Sequence, residues 1–211
     1  MVKNIVIQPA YFAPIAQYAA IIQANSILFE TQDNFEKQTY RNRSYIYAAN
    51  GKLLLNIPIQ SSKGEKLLST SVKINYAEDW QKLHFKSIQS AYRSSPFFEY
   101  YEHDLAPIFD KKYTYLSELH QDCHHFVMDA LQENKTCSKT KVYTKEYSQD
   151  IDLRNWTNPK ENLQLDFPSY IQVFDDKHGF IPNLSILDLI FMEGPNAGMY
   201  LEKLNLNHVN L

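Results

Sequence analysis

Glycine is scarce in this chain. Only five of 211 residues are glycine, and neither GxGxxG nor GxxxxGK[ST] occurs, so a glycine-rich phosphate loop is excluded. Cysteine is scarcer still, and Cys123 and Cys137 alone cannot build a disulfide framework. There is no excess of basic charge either. The net charge is −3 and the basic residues are scattered, apart from short mixed runs such as Lys135 to Lys145. That argues against a nucleic-acid partner. No apolar run approaches the ~18 residues a membrane span needs. The opening "MVKNIVIQPAYF" has an apolar run of only three residues with a proline soon after, which is not the pattern of a signal peptide. The expectation is a reduced, cytoplasmic protein. The Asn-x-Ser/Thr triplets at Asn42, Asn134, Asn155 and Asn183 then carry no weight as glycosylation sites.

Aromatic residues are plentiful: 15 Tyr, 12 Phe and 2 Trp. Tyrosine buries an apolar body while keeping a hydroxyl for a partner, which suits a cleft for polar ligands or, more plainly, a core short of leucine. With 44% hydrophobic residues the chain can bury a sizeable core, and one domain over 1–211 is expected. Ile5 to Ile7 reads as a buried strand. Pro14 to Ala24 reads as a helix, with Ile15, Tyr18, Ala19 and Ile22 on one face, and Ser26 to Glu30 as a second strand. Together they suggest a parallel βαβ unit.

Asn50-Gly51, between "SYIYAA" and "KLLLNIPI", signals a hairpin closed by a type I′ turn. Leu67 to Ile74 reads as a further strand. Helices are expected from Trp80 to Tyr92, Phe97 to Phe109 and Tyr113 to Leu131. Periodicity is lost in a polar, less ordered segment at about 135–168. "YIQVF" (Tyr170 to Phe174) reads as a late strand followed by a turn. Ser185 reads as the N-cap of a last helix, with Asp188 near the capping-box position and Gly194 terminating it. The expected fold class is α/β: a mixed sheet with an N-terminal βαβ unit and a β-hairpin, plus a helical middle section.

Several side chains could carry chemistry, each with a plainer alternative. In "HQDCHH", His120, Cys123 and His124 have workable metal-ligand spacing, but no second pair closes a tetrahedral site and a solvated helix face explains them as well. No residue is assigned as a metal ligand on this pattern, and the cofactor is left unknown. His84 lies on the apolar stripe with Trp80, Ile88 and Tyr92, as a satisfied core histidine or as a general base in a cleft. In an extended segment Arg41 and Arg43 share a face opposite Asn42. They could anchor a phosphate or carboxylate, or simply lie on a sheet edge. No Gly-x-Ser-x-Gly elbow is present.

Three segments in order, "IVIQPAYFAPIAQYAAII", "YRNRSYI" and "WQKLHFKSIQSAYRSSPFFEYY", together with the tail "YIQVFDDKHGFIPNLSILDLIFMEGP", resemble the WbqC-like family over nearly the whole chain. One departure is visible. Where the family often has Pro-Trp-x-Gly-Tyr, this chain has Pro14-Ile15-Ala16-Gln17-Tyr18, so any role of the glycine is put in doubt. The resemblance implies surface-polysaccharide (O-antigen) biosynthesis and a transferase that attaches an acyl or aminoacyl group to an amino-sugar or nucleotide-sugar intermediate. It marks His84 and Asp188 as catalytic candidates, and Gln8, Tyr11, Arg41, Asn42, Arg43, Trp80 and Tyr92 as substrate-binding candidates.

The alternatives are a non-catalytic scaffold that holds a glycan precursor or protein, and a HUP-like nucleotide-binding enzyme, against which the missing His-x-Gly-His signature argues. The enzyme reading expects Arg43 and His84 in one pocket. It also expects Gln8 and Tyr11 to face a cleft, Gln8 to turn toward Arg41 and Arg43, and Phe12 to pack beneath.

Overall fold

The computed structural model describes residues 4–60, 66–161 and 163–206. Residues 1–3, part of the stretch read as lacking a signal peptide, lie outside them. Strand β1 (Ile5–Ile7), helix α1 (Ile15–Gln23) and strand β2 (Ser26–Phe29) form a parallel βαβ unit in which Ile5 to Ile7 align with Ile27 to Phe29. Ile15 to Ile22 of α1 are all buried, because α6 and α7 pack on the helix and its apolar residues join the hydrophobic core. Its first amides find remote partners: Ile15 N–H donates to the Leu184 carbonyl and Ala16 N–H to Asn183 Oδ1.

The hairpin follows as β3 (Arg43–Ala48) and β4 (Gly51–Asn56). Its turn differs from the expected type I′. Only Gly51, at φ 92°, has a positive φ; Asn50 does not. Ala48 pairs with Gly51 across a two-residue connection, Ala49-Asn50, and glycine takes the position after the turn. The expected strand at Leu67 to Ile74 is not formed. Ser69–Ser71 make a 3₁₀ turn, and Leu68, Lys73 and Ile74 contribute only isolated bridges. The cause is local: Ser69 bonds Asp33 through both its amide and its hydroxyl, and so leaves the ladder.

Helices α2 (Trp80–Tyr92), α3 (Phe98–Asp110) and α4 (Leu116–Ala130) fall where their periodicity places them. The segment without periodicity contains two strands, β5 (Thr136–Lys139) and β6 (Ile151–Asp152). "TCSK" is an edge strand exposed along its whole length, and β6 is two residues long, so neither carries an apolar pattern to read. The helices continue with α5 (Asp175–His178), α6 (Ile186–Glu193) and α7 (Ala197–Lys203).

"YIQVF" is not a strand. The Gln172 side-chain amide bonds both backbone groups of Ile181 (Nε2 to the carbonyl at 3.0 Å, Oε1 from the amide at 2.8 Å), supplying what a neighbouring strand would have supplied. Ser185 caps α6 as expected, accepting from Leu187 N–H at 3.3 Å.

The larger sheet has the order β5-β2-β1-β6, all parallel. The hairpin is a separate sheet packed on α2 and α6. A hydrophobic cluster of buried residues runs from Ile5 through α1, the hairpin and the helices to Leu206. Among the described residues no helix is long and apolar enough to cross a membrane.

Candidate functional site

All four parallel strands end on one edge. The chain leaves central β1 toward β2, then returns to β1's other side as β6. Ligands of open parallel sheets bind outside the carboxyl ends, where connections diverge in this way. Three adjoining cavities lie along that edge. A polar chamber of about 810 Å³ sits over the ends of β1 and β6, lined by Gln8, Asp33, Arg41, Arg154 and Thr157 among others. An apolar chamber of about 330 Å³ lies beyond β2 and β5, with Ala13, Gln17, Phe29, His124 and Cys137 in its wall. A throat of about 20 Å³ shares Gln8, Asp33 and Arg41 with the first and Thr31, Ser117 and His120 with the second, so the three form one cleft.

A buried network stitches the strand ends together. The Arg41 guanidinium donates from Nε to Gln8 Oε1 (3.0 Å) and from Nη1 to the Asn34 carbonyl (3.0 Å) and Ser69 Oγ (2.9 Å), and pairs through Nη2 with Asp33 (2.8 Å). Gln8 Nε2 donates to Asp33, and Thr157 Oγ1 donates to Gln8 Oε1 at 2.6 Å. Burial lowers the Arg41 pKa, and the charge of Asp33 opposes that shift. Arg154 is also committed: it grips the Asp152 carboxylate through Nε and Nη2 and donates to the carbonyls of Thr144 and Lys145. Glu30, wholly buried, accepts from Gln32 N–H, Thr140 Oγ1 and Tyr147 Oη.

His120 stands in the throat, 7% exposed. Its Nε2 faces the Arg41 carbonyl, an acceptor only, so Nε2 carries the proton and Nδ1 the lone pair. Burial pulls its pKa down to about 4, so the ring is neutral near pH 7. His124 is likewise lowered to about 4 by burial, with Nδ1 3.4 Å from the Tyr18 hydroxyl and Nε2 3.7 Å from Cys137 Sγ. Cys123 is buried. The three do not converge, and among the described residues no group of three or more His, Cys, Asp or Glu could hold a metal ion. The face of α4 that carries His120 and His124 forms the wall of the cleft, with Gln121 and His125 exposed there.

The expected site residues divide. Gln8 and Arg41 meet in the cleft. Arg43 parts from Arg41 because Arg41 precedes β3 in a turn, so no two-residue alternation relates them; Arg43 Nε reaches Asn56 Oδ1 at 3.4 Å. Asn42 is buried and ties the loop to Ile57. Tyr11, expected at a cleft, is wholly buried, with its hydroxyl 3.0 Å from His84 Nδ1. His84 is 3% exposed, supported by the Asn56 backbone and packed against Trp80, and burial lowers its pKa to about 4. Arg43 and His84 both touch Asn56, one at its side chain and the other at its backbone, and neither lines any of the three cavities of the cleft.

Phe12 packs below at φ 40°, its carbonyl accepting from the Ser44 and Ser185 hydroxyls. Tyr92 and Asp188 form a second buried cluster. Asp188 accepts from Tyr92 (2.7 Å), Tyr170 (2.5 Å) and Gln172 (2.8 Å), which rules out the capping role read for its side chain. Burial raises its pKa against those three donors.

Gln17, Asp33, Arg154 and Thr157 are among the cleft residues that had no place among the sequence candidates. Gln17 had a signal, as the one polar residue within "IAQYAAII", at the position where the family pattern often has glycine. Arg154 and Thr157 lie in the stretch without periodicity, where nothing marked them.

No curated protein matches the chain, and no solved structure matches it. The model of the WbqC-like protein family matches residues 8–158. Its first and last residues, Gln8 and Asn158, both line the polar chamber. With that match over more than half its length, the chain belongs to the WbqC-like protein family.

Proposed function

We propose that the protein is a cytoplasmic transferase that attaches an acyl or aminoacyl group to an amino sugar, free or nucleotide-linked, in the building of surface polysaccharide. The observation that carries this reading is the two-chambered cleft with His120 in its throat. In the polar chamber Asp33 and Asp152 are already paired with Arg41 and Arg154, which leaves Glu36 as the carboxylate that suits the ammonium group of an amino sugar. The apolar chamber suits the acyl group. The ammonium first gives one proton to solvent, and at the mouth of the throat the free amine nitrogen then attacks the acyl carbonyl carbon of an activated donor. The new C–N bond forms, the bond to the leaving group breaks, and the amine proton passes to His120 Nδ1 and on to the leaving group. Arg41, Asp33 and Gln8 fix the cleft wall rather than bind the phosphate, because their polar atoms are already engaged with one another.

Mass spectrometry of amino-sugar phosphates incubated with a panel of activated acyl donors tests this. A product heavier by the acyl group is expected, with turnover falling at least about a hundredfold in His120→Gln. Turnover unchanged in that variant would remove His120 as the base. A second reading, a non-catalytic holder of glycan precursors, is favoured by the engagement of both cleft arginines with carboxylates. It predicts ligand binding with no product from any donor.

A further inference from the structure

The apolar chamber holds a buried acceptor with nothing to accept. Gln17 is 2% exposed and lines that chamber. Its Nε2 donates to the Gln8 carbonyl at 2.8 Å. That contact fixes the orientation of the amide, because a carbonyl oxygen only accepts and the nitrogen must face it. Gln17 Oε1 is thereby turned away from Gln8, and it has no hydrogen-bond partner among the described residues. Buried polar atoms are nearly always paired, so an orphan on a residue of the cavity wall marks where a ligand's donor fits once the side chain turns its shielded oxygen to the chamber.

The neighbouring surface restricts that donor. The exposed surface of the chamber is mostly apolar, with Ala10, Ala13, Ile21 and Phe29 in its wall, although Thr31, Ser117, His120 and His124 also line it. A sugar hydroxyl could donate, but a mostly apolar surface favours a donor that carries an apolar tail over a ring that brings several further hydroxyls. The group that combines an N–H with a short apolar tail is a secondary amide. A chamber of about 330 Å³ admits such a group and not a long lipid chain.

The geometry points to the apolar chamber as a site for a short N-acyl group, whose amide N–H donates to Gln17 Oε1 while its alkyl end lies against Ala13, Ile21 and Phe29. The choice of carrier rests on the transferase reading: the amide is that of the N-acylated amino sugar, so the cleft recognises its own product.

Cys137 reports occupancy. It is exposed on the chamber rim, whereas Cys123 is wholly buried, so alkanethiosulfonate labelling followed by mass spectrometry reads Cys137. N-acetylglucosamine should slow the labelling, glucosamine should not, and N-methylacetamide should slow it at higher concentration. Gln17→Met should raise the N-acetylglucosamine concentration needed by about tenfold. Ala13→Leu, which fills the floor and leaves the Gln17 amide intact, should abolish protection. This second variant keeps the test open if Gln17→Met does not fold.

Equal protection by glucosamine and N-acetylglucosamine overturns the amide assignment and leaves the sugar reading standing. Protection by N-methylacetamide with neither sugar active upholds the amide site and removes the amino sugar as its carrier. No protection by either amide, or full protection in Ala13→Leu, overturns the inference.

Discussion

Arg41 and Arg43 stand two residues apart and do opposite work. Arg41 is 4% exposed and shares a hydrogen-bond network with Gln8, Asp33, Asn34 and Ser69. Arg43 has one long contact, to Asn56. Breaking a buried pair leaves a carboxylate uncompensated in low dielectric, whereas a peripheral charge is screened by water. Arg41→Ala should therefore cost about 3–5 kcal/mol of unfolding free energy in urea titration. Arg43→Ala should fall within about 0.5 kcal/mol of the native chain. Equal costs would contradict the division. The sequence supplied both residue types but not their fates, because Arg41 lies in a turn and the two-residue alternation of a strand begins only after it. Tyr11 is the reverse case: its place after the end of β1 suggested a cleft, but its hydroxyl meets His84 in the core, which is the satisfied-core reading of that histidine.

Helix α4 is the element that most changes meaning between sequence and structure. Its histidines looked like metal ligands or a solvated face; they wall a cleft because β5 pairs beside β2 and brings the apolar chamber against them. Helices and the βαβ unit were legible because period 3.6 and apolar runs survive in sequence. β5 and β6 were not, because an exposed edge strand and a two-residue strand have no apolar pattern. The candidate site suffered most, since it is built from the ends of those strands.

Burial in α4 also has a pH consequence. His120 and His124, with His84 on α2, have folded pKa values near 4, against an ordinary 6.5. Below about pH 6.5 the unfolded chain binds protons that the folded chain refuses, so stability falls with pH down to about 4, by up to ~1.4 kcal/mol per pH unit for each group. Asp188, whose pKa is raised, works in the opposite sense, as one group against three. Thermal denaturation should show a lower Tm at about pH 5 than at about pH 7, and His120→Gln should flatten the difference. A Tm that rises toward pH 5 would contradict the burial of these rings.

At the scale of the whole molecule, a small parallel sheet, a hairpin and a layer of helices close around one edge. The elements with the least apolar signal, β5, β6 and the loops after them, supply half of that edge. The cleft is thus a product of tertiary assembly: Gln8, Asp33, Arg41, His120 and Thr157 come from five places in the chain, and one network joins them. The central claim is that this cleft, and no other surface, takes the ligand. Ser117, half-buried at the start of α4, lines both the throat and the apolar chamber, so Ser117→Trp should obstruct the cleft while the Gln8–Arg41–Asp33 network stays whole. The most direct test is a thermal-shift panel of nucleotide sugars, amino-sugar phosphates and acyl donors on both proteins. A ligand at about a hundred times its Kd stabilises the folded state by ~2.7 kcal/mol. At least one panel member should raise the Tm of the native chain and leave that of Ser117→Trp unmoved. An equal shift in both proteins, or none in the native chain, would contradict the account.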